Sequence, residues 1–100
     1  MKNNEGHRGR LRNRFLMSGL SGFQDYEILE LLLTYVIVRK DCKVMAKELL
    51  EKYGDLYTLL KQSPEELEKN KYITERTAIF FKMLFSIIER QLYLKIHNEK

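Results

Sequence analysis

The chain is predicted to be all-α, a compact domain of five to six helices. Three observations carry that prediction. Apolar residues recur at helical spacings of three and four along most of the 100 residues. One proline and five glycines occur, placed at the expected helix boundaries or in the N-terminal stretch. No alternating apolar–polar run flanked by hairpin glycines appears, so no strand is expected. One hundred residues make one domain, 1–100, with 1–5 and 98–100 expected to fray.

The elements follow in order. A first helix is expected over about residues 7–18, with Leu11, Phe15 and Ser18 on one stripe. Gly19 to Gly22 is a loop. Asp25 is the expected N-cap of a second helix running to about Val38. Its polar positions, Glu27, Glu30 and Thr34, form a narrow stripe on an otherwise apolar surface, the pattern of a central helix. Asp41 caps a third helix that buries Met45, Ala46, Leu49, Leu50 and Tyr53 and stops at a left-handed Gly54. Asp55 opens a short helix with Leu56, Leu59 and Leu60. Ser63-Pro64-Glu65-Glu66 is a capping box with proline at the first helical position, opening a short helix that ends near Asn70. Thr74 caps a long last helix to about Ile96.

Charge is distributed unevenly. Residues 1–20 hold five basic groups against one acid, a net +4, and residues 21–100 hold 13 against 13, a net of zero. The excess comes from Lys2 and from Arg8, Arg10, Arg12 and Arg14. Such a segment on a neutral body suits a polyanion. It equally suits pairing inside the fold, because guanidinium groups grip carboxylates as well as phosphates, and Glu27 and Glu30 stand on the next helix. On a helical plot Arg8 and Arg12 fall on one flank of the Leu11–Phe15 stripe and Arg14 and Arg10 toward the other. The cluster is therefore split around an apolar stripe, and the two roles can coexist on different arginines.

A second nucleic-acid candidate runs from Pro64 to Leu84, where a short helix, a hairpin (Lys71-Tyr72-Ile73-Thr74) and a long helix have the outline of a helix-hairpin-helix. That motif presents hairpin N–H groups and a helix N-terminus to a phosphate, and glycines let the backbone come close. Tyr72 and Thr74 stand where glycines are wanted, and Glu75 adds a negative charge, so the unit is degenerate. Lys71 and Arg76 are the cations that would help there.

The last helix is apolar over more than one stripe, and Phe80, Leu84, Ile88 and Leu92 are the candidate partner surface, set against simple core packing. No catalytic constellation is visible, and the chain is expected not to be an enzyme. His7, His97 and Cys42 have no metal-ligand spacing, so no metal or other cofactor is expected. Cys42 is read as a small buried residue, although its place in the first turn of a helix could lower its pKa. Glu65, Glu66 and Glu68 favour a helix dipole. One cysteine excludes an internal disulfide and points to a reducing compartment. With no secretory signal and no long apolar run, a cytoplasmic location is expected, with no membrane partner and no small-molecule substrate.

Two long motifs in order are informative together. Gly6-His7-Arg8-x-Arg10-Leu11-Arg12-x-Arg14-Phe15 is followed by Asp25-Tyr26-Glu27-Ile28-Leu29-Glu30-Leu31-Leu32-Leu33-Thr34-Tyr35. Ala46-Lys47-x-Leu49-Leu50, Tyr53-Gly54 and Ser63-Pro64-Glu65-Glu66-Leu67 continue the pattern. Over about residues 6–90 the chain resembles the N-terminal domain of the bacterial RadC DNA-repair-like proteins. The resemblance implies an all-α, helix-hairpin-helix-like module connected with DNA. The family usually carries a Gly-Ile-Gly hairpin where this chain has Tyr72-Ile73-Thr74, and acids at the positions of Gly9 and Asn13. It also usually continues into a zinc-metalloprotease-like domain, so the chain is expected to be a fragment or a split gene product. The resemblance leaves two expectations: weak DNA binding without sequence preference, or docking of a protein partner, a second copy or the metalloprotease-like domain through the last helix.

Overall fold

In a computed structural model the backbone is described for residues 3–38 and 41–98, and every regular element among them is helical. They are α1 (Asn3–Ser18), α2 (Asp25–Leu33), α3 (Cys42–Tyr53), α4 (Leu56–Leu60), α5 (Pro64–Leu67) and α6 (Glu75–Asn98). The all-α expectation and the upper helix number both hold. The helix described over residues 3–5 and at Asn98 extends into stretches expected to fray; residues 1, 2, 99 and 100 lie outside the described residues.

The backbone divides into two units, Met1–Leu59 and Leu60–Lys100. In the first, α2 is the central helix, packed on both α1 and α3. Its buried positions are Leu29, Glu30 and Leu33, and α3 contributes Cys42, Met45, Ala46 and Leu49. In the second unit α5 packs on α6, and Leu67, Ile73, Thr77, Ala78 and Phe81 are buried.

Most caps are set by local chemistry. The Asp41 carboxylate accepts from the backbone N–H groups of Lys43 (3.1 Å) and Val44 (3.3 Å) at the start of α3. Gly54, at φ 95°, donates its N–H to the Leu50 carbonyl at 2.7 Å and ends the helix in a conformation that costs side-chain-bearing residues energy. The Asp55 carboxylate accepts from Thr58 N–H (2.8 Å) and the Ser63 hydroxyl from Glu66 N–H (3.1 Å). The Thr74 hydroxyl accepts from Thr77 N–H at 3.3 Å and opens α6.

Besides the start of α1, at Asn3 and not near residue 7, three boundaries differ from expectation. Gln24, not Asp25, is the N-cap of α2. The Asp25 carboxylate instead accepts from Leu56 N–H at 3.1 Å, so it serves the first turn of α4, thirty-one residues away. Second, α2 stops at Leu33 and not near Val38, because Tyr35 and Val36 donate to carbonyls three residues back, which tightens the chain into a turn. Third, α5 ends at Leu67 and not near Asn70. Lys69 and Asn70 likewise bond three residues back, and the Asn70 side-chain amide donates to the Leu67 carbonyl at 3.0 Å.

Candidate nucleic-acid interface

The polar stripe of α2 is not a solvent stripe. Glu30 is 2% exposed, and the two ends of the stripe receive arginines from α1. Arg14 donates from Nη1 to Glu27 Oε2 at 2.9 Å and from Nη2 to Oε1 at 3.4 Å, a two-point grip. Glu27 Oε1 also accepts from Gln24 N–H at 3.0 Å, so one carboxylate closes the start of α2 and anchors α1. The Arg14 guanidinium lies 4.3 Å from the centre of the Phe23 ring. Hydrogen bonding from Arg14 and then from Gln24 holds the Glu27 carboxyl below its ordinary range, and the Arg14 guanidinium is pushed up by the same bond.

Arg8 works at the other end of α2. Its Nη1 donates to the Thr34 carbonyl at 3.1 Å, and its Nη2 donates to the Ile37 carbonyl at 3.2 Å and toward Cys42 Sγ at 3.7 Å. A guanidinium at the carbonyl end of a helix satisfies acceptors left over by the helix and meets the negative end of its dipole. Arg8 at one end and Arg14 at the other set α1 antiparallel to α2, with Leu11 buried between them at 3% exposure. Two of the four arginines are thus fold residues.

The other two are not. Arg10 and Arg12 are exposed, and neither has a hydrogen-bond or ion-pair partner among the described residues. They flank the outer face of α1, with Gly9 and Asn13 between them. Arg12 Nη2 stands 3.7 Å from where a Cβ on Gly9 would sit, so its guanidinium overhangs that small residue. The outer face of α1 thus carries two exposed guanidinium side chains, Arg10 and Arg12, about 160° apart around the helix.

In the second unit Lys71 and Arg76 are exposed, with Lys71 Nζ 5.1 Å from the centre of the Tyr72 ring. On α6, Phe80 and Leu84 are half-buried, and Ile88 (43%) and Leu92 (57%) are exposed. The stripe that buries Thr77, Ala78 and Phe81 runs on through Ile88, Leu92 and Ile96 and loses its cover. Cys42 is buried, and desolvation pushes its thiol up despite the opposing charge of Arg8, so the dipole does not make it a ready nucleophile. The side chain of His7 lies outside the described ones. Among the described residues no His, Cys, Asp and Glu form a group that could hold a metal, and no helix is long and apolar enough to cross a membrane.

Sequence reasoning missed the end of α1. Leu16 and Met17 are 72% and 83% exposed, and Leu20 is 46% exposed. A signal was present: Leu16 follows Arg12 by four residues, on a flank away from the Leu11–Phe15 stripe, where a helix packed through one stripe has no core to offer.

Comparison with known proteins gives the family context. The chain is 47% identical over 83 residues to a UPF0758 protein of Fusobacterium nucleatum, covering 83% of this chain and 36% of that protein. It is 36% identical over 90 residues to a UPF0758 protein of Ruegeria pomeroyi (90% of this chain, 40% of that one) and 32% identical over 80 residues to one of Rhodobacter capsulatus (80% and 37%). These relatives carry the UPF0758 name, that of the RadC family, and the chain is similar to them over most of its own length. It spans less than half the length of these curated relatives. No family model matches the chain, and no solved structure matches it.

Proposed function

We propose that this chain is a non-catalytic, cytoplasmic helical module that binds DNA through backbone phosphates, without sequence preference, using Arg10 and Arg12 on the outer face of α1. The observation that carries the proposal is the division of labour among the four arginines. Arg8 and Arg14 are engaged by α2, Arg14 from a side chain still 46% exposed, while Arg10 and Arg12 are exposed without a hydrogen-bond or ion-pair partner among the described residues, with Gly9 and Asn13 between them on the outer face of α1. Neither residue between the two arginines carries a charge to repel a phosphate, and guanidinium grips phosphate at two points. Lys71 and Arg76 are auxiliary contacts in the second unit. Two phosphates neutralised by Arg10 and Arg12 give a log–log salt slope of about −1.8, at about −0.9 for each.

The test is a titration of duplex DNA at about 50 and 200 mM salt. Binding that weakens along that slope, and that Arg10→Glu with Arg12→Glu abolishes without loss of helical circular dichroism, supports the proposal. No binding at the lower salt sinks it.

A second function has its own support in the bare half of α6. Ile88, Leu92 and Ile96 continue a buried stripe without cover, as a helix that docks a protein partner would. Light scattering across protein concentration tests the self-association form of this reading. A strict monomer that also fails to bind the remaining part of a longer relative, supplied in trans, rules it out.

A further inference from the structure

We infer that the tip of α1, formed by Leu16, Met17 and Leu20, inserts against unstacked bases, so that the nucleic acid preferred by this chain has an interruption in its base stack. This rests on the reading that Arg10 and Arg12 hold phosphates, and names the substrate class of that same face.

The outer face of α1 changes character along its length. It is basic at Arg10 and Arg12, then apolar one turn later at Leu16 and Met17. Leu16 follows Arg12 by four residues and Met17 follows Asn13 by four, so each stands one turn beyond that residue on the same side of the helix. Met17 is the most exposed large hydrophobic residue among those described, at 83%, with Leu16 at 72%. Leu20 extends the tip into the loop. Gly19 and Gly22, at φ 65° and 81°, turn the chain beyond the helix.

The electrostatics separate the two halves of a nucleotide. The last turn of α1 presents the negative end of the helix dipole, which does not attract a phosphate. A phosphate is held a turn earlier by the arginines, and what lies beyond it at the tip must be uncharged and apolar. The face of an unstacked base meets that requirement, and leucine and methionine are among the side chains that wedge into a base step. A continuous duplex hides those faces in its stack. A lipid surface fits less well, because a helix lying in a membrane interface needs an apolar stripe along its length. The stripe of α1 buries Leu11 at 3% exposure, and its exposed apolar residues, Phe15 at 42% with Leu16 and Met17, are confined to the last turn.

The experiment compares a short duplex with the same duplex carrying an unpaired bulge, both dye-labelled, at about 50 mM salt. The unmodified chain is expected to bind the bulged DNA about tenfold more tightly. A 2-aminopurine beside the bulge should brighten as its stack opens. Leu16→Ser with Met17→Ser is expected to remove the preference and the fluorescence change while keeping affinity for intact duplex within about twofold, because it leaves the phosphate contacts in place. Met17→Gln alone should remove part of it. Equal affinity of the unmodified chain for both DNAs overturns the inference and spares the arginine reading; so does a preference that survives in the double variant. Absence of binding to either DNA overturns both. Binding of anionic phospholipid vesicles in preference to bulged DNA, lost in the double variant, makes the tip a lipid anchor and overturns the inference as well.

Discussion

Helices α1 and α6 both carry more than one stripe of a single residue type, and the structure divides each in a different way. In α1 the division is by angle. Arg8 and Arg14 reach α2, Arg14 from an exposed position, and Arg10 and Arg12 point away from it, although all four lie within seven residues. In α6 the division is by position along the axis. The same apolar stripe is buried at Ala78 and Phe81 and bare at Leu92 and Ile96. A cluster in sequence is therefore not a cluster in space, and a continuous apolar stripe is not a continuous core. The cause differs too. α1 meets its partner along one side, so angle decides burial. α6 has 24 residues and α5 has four, about 36 Å against about 6 Å, so α5 can cover only a part of it.

These two divisions can be broken experimentally. The largest effect belongs to α6. Phe81→Ala should cost about 3–5 kcal/mol in chemical denaturation, because Phe81 is fully buried and its removal leaves a cavity. Leu92→Ala, on the same stripe, should change stability by less than about 0.5 kcal/mol. A cost at Leu92 approaching that at Phe81 would mean that the second half of the helix is covered in solution.

Next comes α1. Arg8→Ala should cost about 1.5–3 kcal/mol, since it strips charged donors from the Thr34 and Ile37 carbonyls at the end of α2. Arg8→Lys should rescue only part of that, because an ammonium cannot reproduce the fork that spans both acceptors. Arg10→Ala should leave the thermal midpoint unchanged. Equal losses at Arg8 and Arg10 would erase the distinction between inner and outer arginines.

A smaller effect sharpens how far local rules govern the first unit. Gly54→Ala should cost about 1–2 kcal/mol through backbone strain alone, because φ is 95° and the space around a Cβ there is open. The smallest effect is that of acid on the Arg14–Glu27 pair. The carboxyl of Glu27 titrates lower in the folded protein than in the unfolded chain. Its contribution is therefore complete above the ordinary carboxylate range and fades as pH falls through the depressed value. In a stability-versus-pH series, Glu27→Gln should flatten the acid limb relative to the unmodified chain, and an identical limb in both would detach this pair from stability.

Much of the fold was legible because helix ends are decided by neighbours in sequence. Asp41, Gly54, Asp55, Ser63 and Thr74 each do what their residue type and spacing predict. Asp25 did not, because its carboxylate found Leu56 N–H, a donor brought near only by folding. The site was half legible. That the arginines straddle a stripe follows from their spacing, but which of them pair depends on where α2 offers acceptors. Glu27 and the Thr34 carbonyl lie at opposite ends of α2, at the reach of Arg14 and Arg8.

By itself, then, the sequence determined the helices, nearly all of their caps, the concentration of charge at one end and the family resemblance. Each of these is written in residue type and spacing over a few positions. Tertiary structure alone decided which two arginines bond to α2, which two do not, that Leu16 and Met17 form a bare tip, and where the stripe of α6 loses its cover. Those outcomes depend on the length, direction and polar groups of the helix packed alongside.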